Sequence, residues 1–278
     1  MSMNNAMLSY IKKDTPIHRF TGAAKLIFFI FWVAASMITY DTRLLVALVI
    51  VGGIAFRFSK IRFKDVSFVI YFILFFLVIN TILIFVFAPY QGVKIYGTRH
   101  NLLHIVGSYY FTKEQLFYQF NIAIKYFVTL PMALLFIVTT DPSEFAASLN
   151  KIGVSYSIAY AVSLTLRYIP EIQGEYHDIS FAQQARGIDM SSKEKFTRRI
   201  KNAISILMPL IFSSLDRIET ISCAMELRAF GNNKKRTWYK ERKFKKNDFL
   251  MIAVGVILFA ISLGLNLHRG SRYFNPFV

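Results

Sequence analysis

The chain is poor in everything that chemistry at a fixed site needs. One cysteine, Cys223, stands in 278 residues, so an internal disulfide and a thiolate metal cluster are both excluded. No Gly-x4-Gly-Lys-Ser/Thr run occurs, so the chain does not hydrolyse ATP itself. The five histidines (His18, His100, His104, His177, His268) are scattered. His100 and His104 share a helical i, i+4 spacing but lie in an inter-span loop without a third ligand, so no metal site is expected. No carboxylate or histidine cluster suits catalysis, and neither an enzyme nor a cofactor is expected. Acidic residues are also scarce, 16 against 33 Lys and Arg, which leaves a net charge of +17. The first 22 residues are polar and mixed in charge, so no cleavable signal peptide is expected.

What the chain has is length of apolar sequence. It is 55% hydrophobic with 28 Phe and 15 Tyr, and its mean hydropathy is +0.43. A bilayer core takes about 20 apolar residues per helix, in a range of roughly 17–25. "VSFVIYFILFFLVINTILIFVFA" (66–88) runs 23 residues without a charge, and "FLMIAVGVILFAISLGLNL" (249–267) runs 19. Further spans are expected at about 23–40, at 44–56 (the shortest) and at 120–140, the last carrying Lys125 and Pro131. The expected class is an all-α membrane protein of about five transmembrane helices. The basic stretch "RFSKIRFKD" (57–65) places its loop and the N-terminus in the cytoplasm, since loops on that side collect Lys and Arg. The same rule accounts for the net charge without nucleic acid. The 89–119 loop and the C-terminal tail then lie outside. The domains are expected at 1–140 (spans one to four), 141–231 (a cytoplasmic helical domain) and 232–278 (basic linker, last span, tail).

The 141–231 region is built of amphipathic segments. "IAYAVSLTL" (158–166) and "ISILMPLIFSSL" (204–215) are too apolar for a soluble surface and too short to span, so an interfacial position is expected. Asp141-Pro142-Ser143-Glu144 has the capping-box pattern, predicting a short helix to about Lys151 closed by Gly153. A helix from near Pro170 to Arg186 shows an apolar face at Ile169, Ile172, Tyr176 and Ile179. Another shows Met208, Ile211, Leu215, Ile218, Ser222 and Met225, with Gly231 as its expected stop. Each ends at an arginine among small residues: Ala185-Arg186-Gly187 and Leu227-Arg228-Ala229. A cation in a last turn complements the helix dipole by about 0.3–1 kcal/mol and can bind lipid headgroups. A matched pair also suits carboxylate binding, where the guanidinium fork adds geometry that Lys lacks. The metal signature of CDP-alcohol phosphotransferases, which also contains Ala-Arg, is not met: no Asp-Gly precedes Ala185 and only Asp189 follows closely.

Three stretches together carry a family resemblance. "TPIHRFTGAAKL", "LRYIPEIQGEYHDISFAQQARG" and "LMPLIFSSLDRIETISCAMELRAFG" resemble, in order, the start of the first span and the two coupling segments of the EcfT/CbiQ family. These are transmembrane T components of energy-coupling factor (ECF) transporters. Thr21-Gly22-Ala23 stands where the family usually has Asp-Pro-Arg, and Ala229 where it has glycine. The resemblance implies a scaffold in the bacterial cell membrane that joins two ABC-type ATPases to a small substrate-binding membrane subunit (S component), for vitamin or transition-metal uptake. It implies that Ala185, Arg186, Gly187, Leu227, Arg228 and Ala229 dock the ATPases. Ile172, Ile179, Met208, Ile211, Leu215 and Ile218 would transmit the motion. The alternatives are the pore-forming permease of a conventional ABC importer, which generally has one coupling motif per subunit, and an uncharacterised membrane enzyme.

Overall fold

A computed structural model describes residues 15–106, 109–188, 195–231, 237–239, 241–269 and 271–277. In chain order the elements are α1 (Pro16–Arg19), α2 (Gly22–Ile38), α3 (Thr42–Phe58), α4 (Phe63–Phe87), α5 (Gln91–Tyr96), β1 (Asn101–Val106), β2 (Tyr109–Thr112), α6 (Lys113–Thr139), α7 (Pro142–Lys151), α8 (Tyr156–Ala185), α9 (Phe196–Leu227) and α10 (Lys246–Arg269). They divide into two compact units, residues 1–141 with 242–278, and residues 142–241. The expected all-α membrane class is what the chain adopts, with a single two-stranded antiparallel hairpin among the described residues.

The first unit holds the five expected hydrophobic helices. By length and composition three can cross a membrane: Val66–Phe87, Lys113–Thr139 and Lys246–His268. Gly22–Ile38 is a shorter apolar helix, and α3 has 17 residues with Arg43 and Arg57 near its two ends. The core lies between α2, α3 and α6, around Trp32, Leu45, Leu48, Val128 and Val138. Trp32 is fully buried, and its indole Nε1 donates to the Val128 carbonyl at 3.1 Å. α4 is different: its long apolar window is buried nowhere, and Phe68, Phe72 and Phe76 stack along one exposed face. A helix hydrophobic all round belongs in lipid or inside an assembly.

Where these helices stop, their last carbonyls lack intrahelical donors. Side chains from neighbouring helices supply them. At the end of α2, Ser262 Oγ donates to Ala35 O at 2.9 Å, Lys125 Nζ to Met37 O at 3.0 Å and Asn266 Nδ2 to Ile38 O at 3.3 Å. Reciprocally, Lys25 on α2 donates to Thr139 O at the end of α6, at 2.8 Å. Lys125 also sits 3.3 Å from the centroid of the Tyr40 ring. Both lysines are therefore cationic caps, which is why apolar spans tolerate them. The "TPIHRFTG" stretch is fixed the same way: the Arg242 guanidinium donates to the carbonyls of His18, Arg19 and Phe20. Asp248, 1% exposed, accepts from Thr21 N at 2.9 Å and Lys245 N at 2.7 Å.

The stretch 89–119 is not the open loop that its polarity suggests. It contains α5, the hairpin and the first turns of α6, held by Glu114, whose buried carboxylate accepts from Thr98 Oγ1 and His100 N, each at 3.1 Å, and meets His100 Nδ1 at 2.6 Å. β1 also removes the helical i, i+4 relation read for His100 and His104. The tail residue Phe277 packs on Tyr96 and Phe117, and burial pushes the Tyr96 phenol up to about 12, so it stays neutral at physiological pH.

Replacing Lys25 or Lys125 by Met keeps the chain length but leaves a buried carbonyl without its donor. Each substitution is expected to cost about 1–3 kcal/mol, read as a lower unfolding temperature of the detergent-solubilised protein. An unchanged temperature would remove the capping role.

Candidate functional site

The second unit is dominated by two helices, α8 with 30 residues and α9 with 32. Both are longer than their apolar segments implied, because each runs through a proline. α8 begins at Tyr156 rather than near Pro170, and α9 carries Pro209 in its interior. A helix-interior proline frees the carbonyl four residues back and bends the helix. For Pro209 that carbonyl belongs to Ser205, and Gln183 of α8 donates to it at 3.3 Å. The short helix α7 and the left-handed Gly153 that follows it stand as the capping pattern predicts. The sequence joins the two helices by a basic linker, residues 189–202, of which 196–202 are the start of α9 and 189–194 lie outside the described residues.

Contacts between the two long helices run in antiparallel order. Gln183 meets Ser205, Glu175 meets Ser213 and Arg217, and Tyr160 meets Phe230. Near the middle the Arg217 guanidinium donates to Glu175 at 3.0 Å and lies 3.4 Å from Glu171. Glu175 also accepts from Ser213 Oγ. This polar contact escaped the sequence reading. Antiparallel packing puts the two C-terminal ends at opposite ends of the pair. At 1.5 Å per residue along α9, Arg186 and Arg228 are separated by roughly 35–40 Å.

The two ends have the same construction. At α8, Arg186 is the C-cap residue, Gly187 follows at φ 83°, Gly187 N donates to Gln184 O at 2.9 Å and Ile188 N to Gln183 O at 3.1 Å. At α9, Arg228 is the C-cap residue, Ala229 follows at φ 51°, Ala229 N donates to Glu226 O at 2.9 Å and Phe230 N to Met225 O at 2.9 Å. Both are Schellman turns, in which backbone N–H groups satisfy the last carbonyls. Ala229 therefore holds the position that glycine holds in the first turn, and α9 stops at Leu227, not at Gly231. Because the backbone closes itself, neither guanidinium is needed as a cap. Ala185, Arg186, Gly187, Leu227, Arg228 and Ala229 are all exposed, Leu227 to 89%.

The apolar face also lacks a counterpart within its unit. Ile172, Met208, Ile211, Leu215 and Ile218 are exposed, Ile218 to 58%, and Ile179 is half-buried. Together α8 and α9 bury only Ala159, Ser180, Ile206 and Leu210. Contiguous apolar surface of this kind marks contact with lipid or another protein.

The left-handed turn costs an alanine roughly 1–2 kcal/mol that glycine does not incur. Ala229→Gly is thus expected to tighten the α9 end and Gly187→Ala to loosen the α8 end, each by about 1 kcal/mol after the entropy of the unfolded chain is included. Amide hydrogen exchange at residues 187–188 and 229–230 checks this: exchange should slow in the first variant and quicken in the second.

Comparison with known proteins shows the family. The sequence profile of the CbiQ family, described as cobalt transport protein, matches residues 13–239. An energy-coupling factor transporter transmembrane protein EcfT from Exiguobacterium sibiricum is 26% identical over 266 residues, covering 93% of this chain and 95% of the relative. That from Lactococcus lactis subsp. cremoris is 28% identical over 278 residues, covering 94% and 97%. Over a shorter stretch, that from Limosilactobacillus fermentum is 36% identical over 128 residues, 43% of this chain and 48% of its own length. With one profile reaching from the "TPIHRFTG" stretch past Arg228, and relatives matched over more than nine-tenths of their length, the chain belongs to the EcfT/CbiQ family of transmembrane T components of ECF transporters.

Proposed function

We propose that this T component is the coupling scaffold of an ECF-type importer. It docks two cytoplasmic ABC-type ATPases through Arg186 and Arg228, and its apolar coupling faces pass ATP-driven motion to a small substrate-binding subunit in the cell membrane. The observation that carries this is the duplicated helix end. Two antiparallel helices close their own carbonyls with backbone bonds and leave one exposed arginine each, at opposite ends, in a chain with no phosphate-binding loop. A dipole cap would suffice for one arginine; two free guanidinium forks roughly 35–40 Å apart suit two separate acidic grooves.

The apolar faces at Ile172, Ile179, Met208, Ile211, Leu215 and Ile218 supply the second contact. Their exposure is stable only against lipid or the substrate-binding subunit. The cargo is a micronutrient, a vitamin or transition-metal ion, and its specificity resides in that subunit, since the buried cations of the helical bundle, Lys25 and Lys125, are occupied in capping helix ends. The positive residues Arg57, in the last turn of α3, and Lys60 and Arg62, between α3 and α4, orient the N-terminus to the cytoplasm.

Arg186→Glu and Arg228→Glu together should abolish ATPase co-purification and uptake while the protein stays in the membrane. Each alone should weaken association at its own end at least about tenfold. Full association of the double variant with both ATPases would refute the docking role.

A further inference from the structure

The two docking ends differ in what surrounds the arginine. Beside Arg228, the last turns of α9 and the first turns of α8 enclose a groove of about 330 Å³. Its aromatic wall is Tyr156, Tyr160 and Phe230, with Trp238 stacked behind; the Tyr160 and Phe230 ring centroids are 4.6 Å apart, and those of Tyr156 and Trp238 5.2 Å. Phe230 is the residue whose N–H completes the Schellman turn, so the ring contacts that hold it also fix the backbone of Arg228. A second arginine, Arg167, lines the same groove, and no Asp or Glu does. Elsewhere on the helix pair Arg217 is matched by Glu171 and Glu175, whereas Arg167 and Arg228 make no ion pair among the described residues.

We infer that this groove receives an acidic segment of the docked ATPase, a carboxylate between Arg167 and Arg228 with an apolar or aromatic side chain against Tyr160, making Arg167 a specificity-determining residue of the α9 end. Two unmatched guanidinium groups with no carboxylate between them call for an anionic occupant. The lining of Tyr, Met and Arg is the composition enriched at protein interfaces, which favours a protein segment over a lipid headgroup. The inference rests on the docking role proposed above for Arg228. It adds that the contact is two-sided: the arginine enters the partner, and the partner enters this groove. Recognition at this end then depends on the pair Arg167 and Arg228, and the aromatic wall gives it a selectivity for a neighbouring ring that a bare helix end lacks.

The test uses the full chain co-expressed with its two ATPases, purified in detergent or nanodiscs. Arg167→Glu should reduce association at the α9 end about tenfold, with Arg167→Gln intermediate and thermal unfolding unchanged, since Arg167 is exposed. A photo-crosslinking phenylalanine analogue replacing Tyr160, with Arg167 intact, should label an ATPase peptide containing Asp or Glu. Reversing that acid to Arg should restore binding to the Arg167→Glu variant. Wild-type association of Arg167→Glu, while Arg228→Glu loses it, would overturn the groove and leave the docking role standing. Wild-type association of both variants would defeat the docking role itself. Photo-adducts on phospholipid alone would also overturn the groove.

Discussion

Helix C-termini are the constraint around which this protein is organised. An apolar environment cannot hydrate the last carbonyls of a helix, so each must find a donor within the protein. In the first unit the donors are side chains from neighbouring helices: Ser262, Lys125 and Asn266 on the end of α2, Lys25 on the end of α6. The reciprocity of Lys25 and Lys125 makes each helix necessary to the other. It also explains two positive charges at positions 4% and 7% exposed, which would otherwise be costly to bury. The second unit solves the problem with backbone alone. Two Schellman turns satisfy the carbonyls of α8 and α9, and the arginine at each cap is left exposed.

That division also separates the unit that buries its own core from the helix pair proposed to couple. The bundle of α2, α3 and α6 encloses a dry core around Trp32 and Val128 and is stable by its own burial. The long helices of the second unit bury only two residues each, so self-packing cannot be their main source of order. They are held to each other by the Glu175–Arg217–Ser213 contact, by Gln183 on the Ser205 carbonyl, and by the aromatic group around Phe230. Partly exposed ion pairs contribute little individually, but their directionality fixes the antiparallel order of the helices.

Much of this was legible in the sequence because it depends on runs and punctuation. The 23 uncharged residues of 66–88, the capping pattern at 141–144 and the Arg-Gly at 186–187 each specify structure locally. Other features were missed. The start of α8 at Tyr156 was obscured because Pro170 reads as a boundary, although a neighbouring surface can carry a helix through a proline. The end of α9 was placed at Gly231 because glycine is the usual left-handed residue, whereas Ala229 takes that conformation under the two turn bonds. The hairpin at 101–112 was missed although the sequence carries a signal for it, Gly107-Ser108 between two apolar runs. Lys125 could be placed on a span from sequence, but its partner, the Met37 carbonyl, could not.

The proline of α9 shows how local breakage becomes connection. Pro209 cannot donate to Ser205, and an orphaned carbonyl in an apolar helix is a liability. Gln183 removes it by donating from α8, and Gln183 is the residue whose own carbonyl accepts the outer bond of the Schellman turn at Arg186. One side chain thus joins the bend of α9 to the terminal turn of α8. A shift of the Arg186 end along α9 would stretch this hydrogen bond beside Pro209. Each helix keeps its length through the defect, and the defect supplies the tie between them.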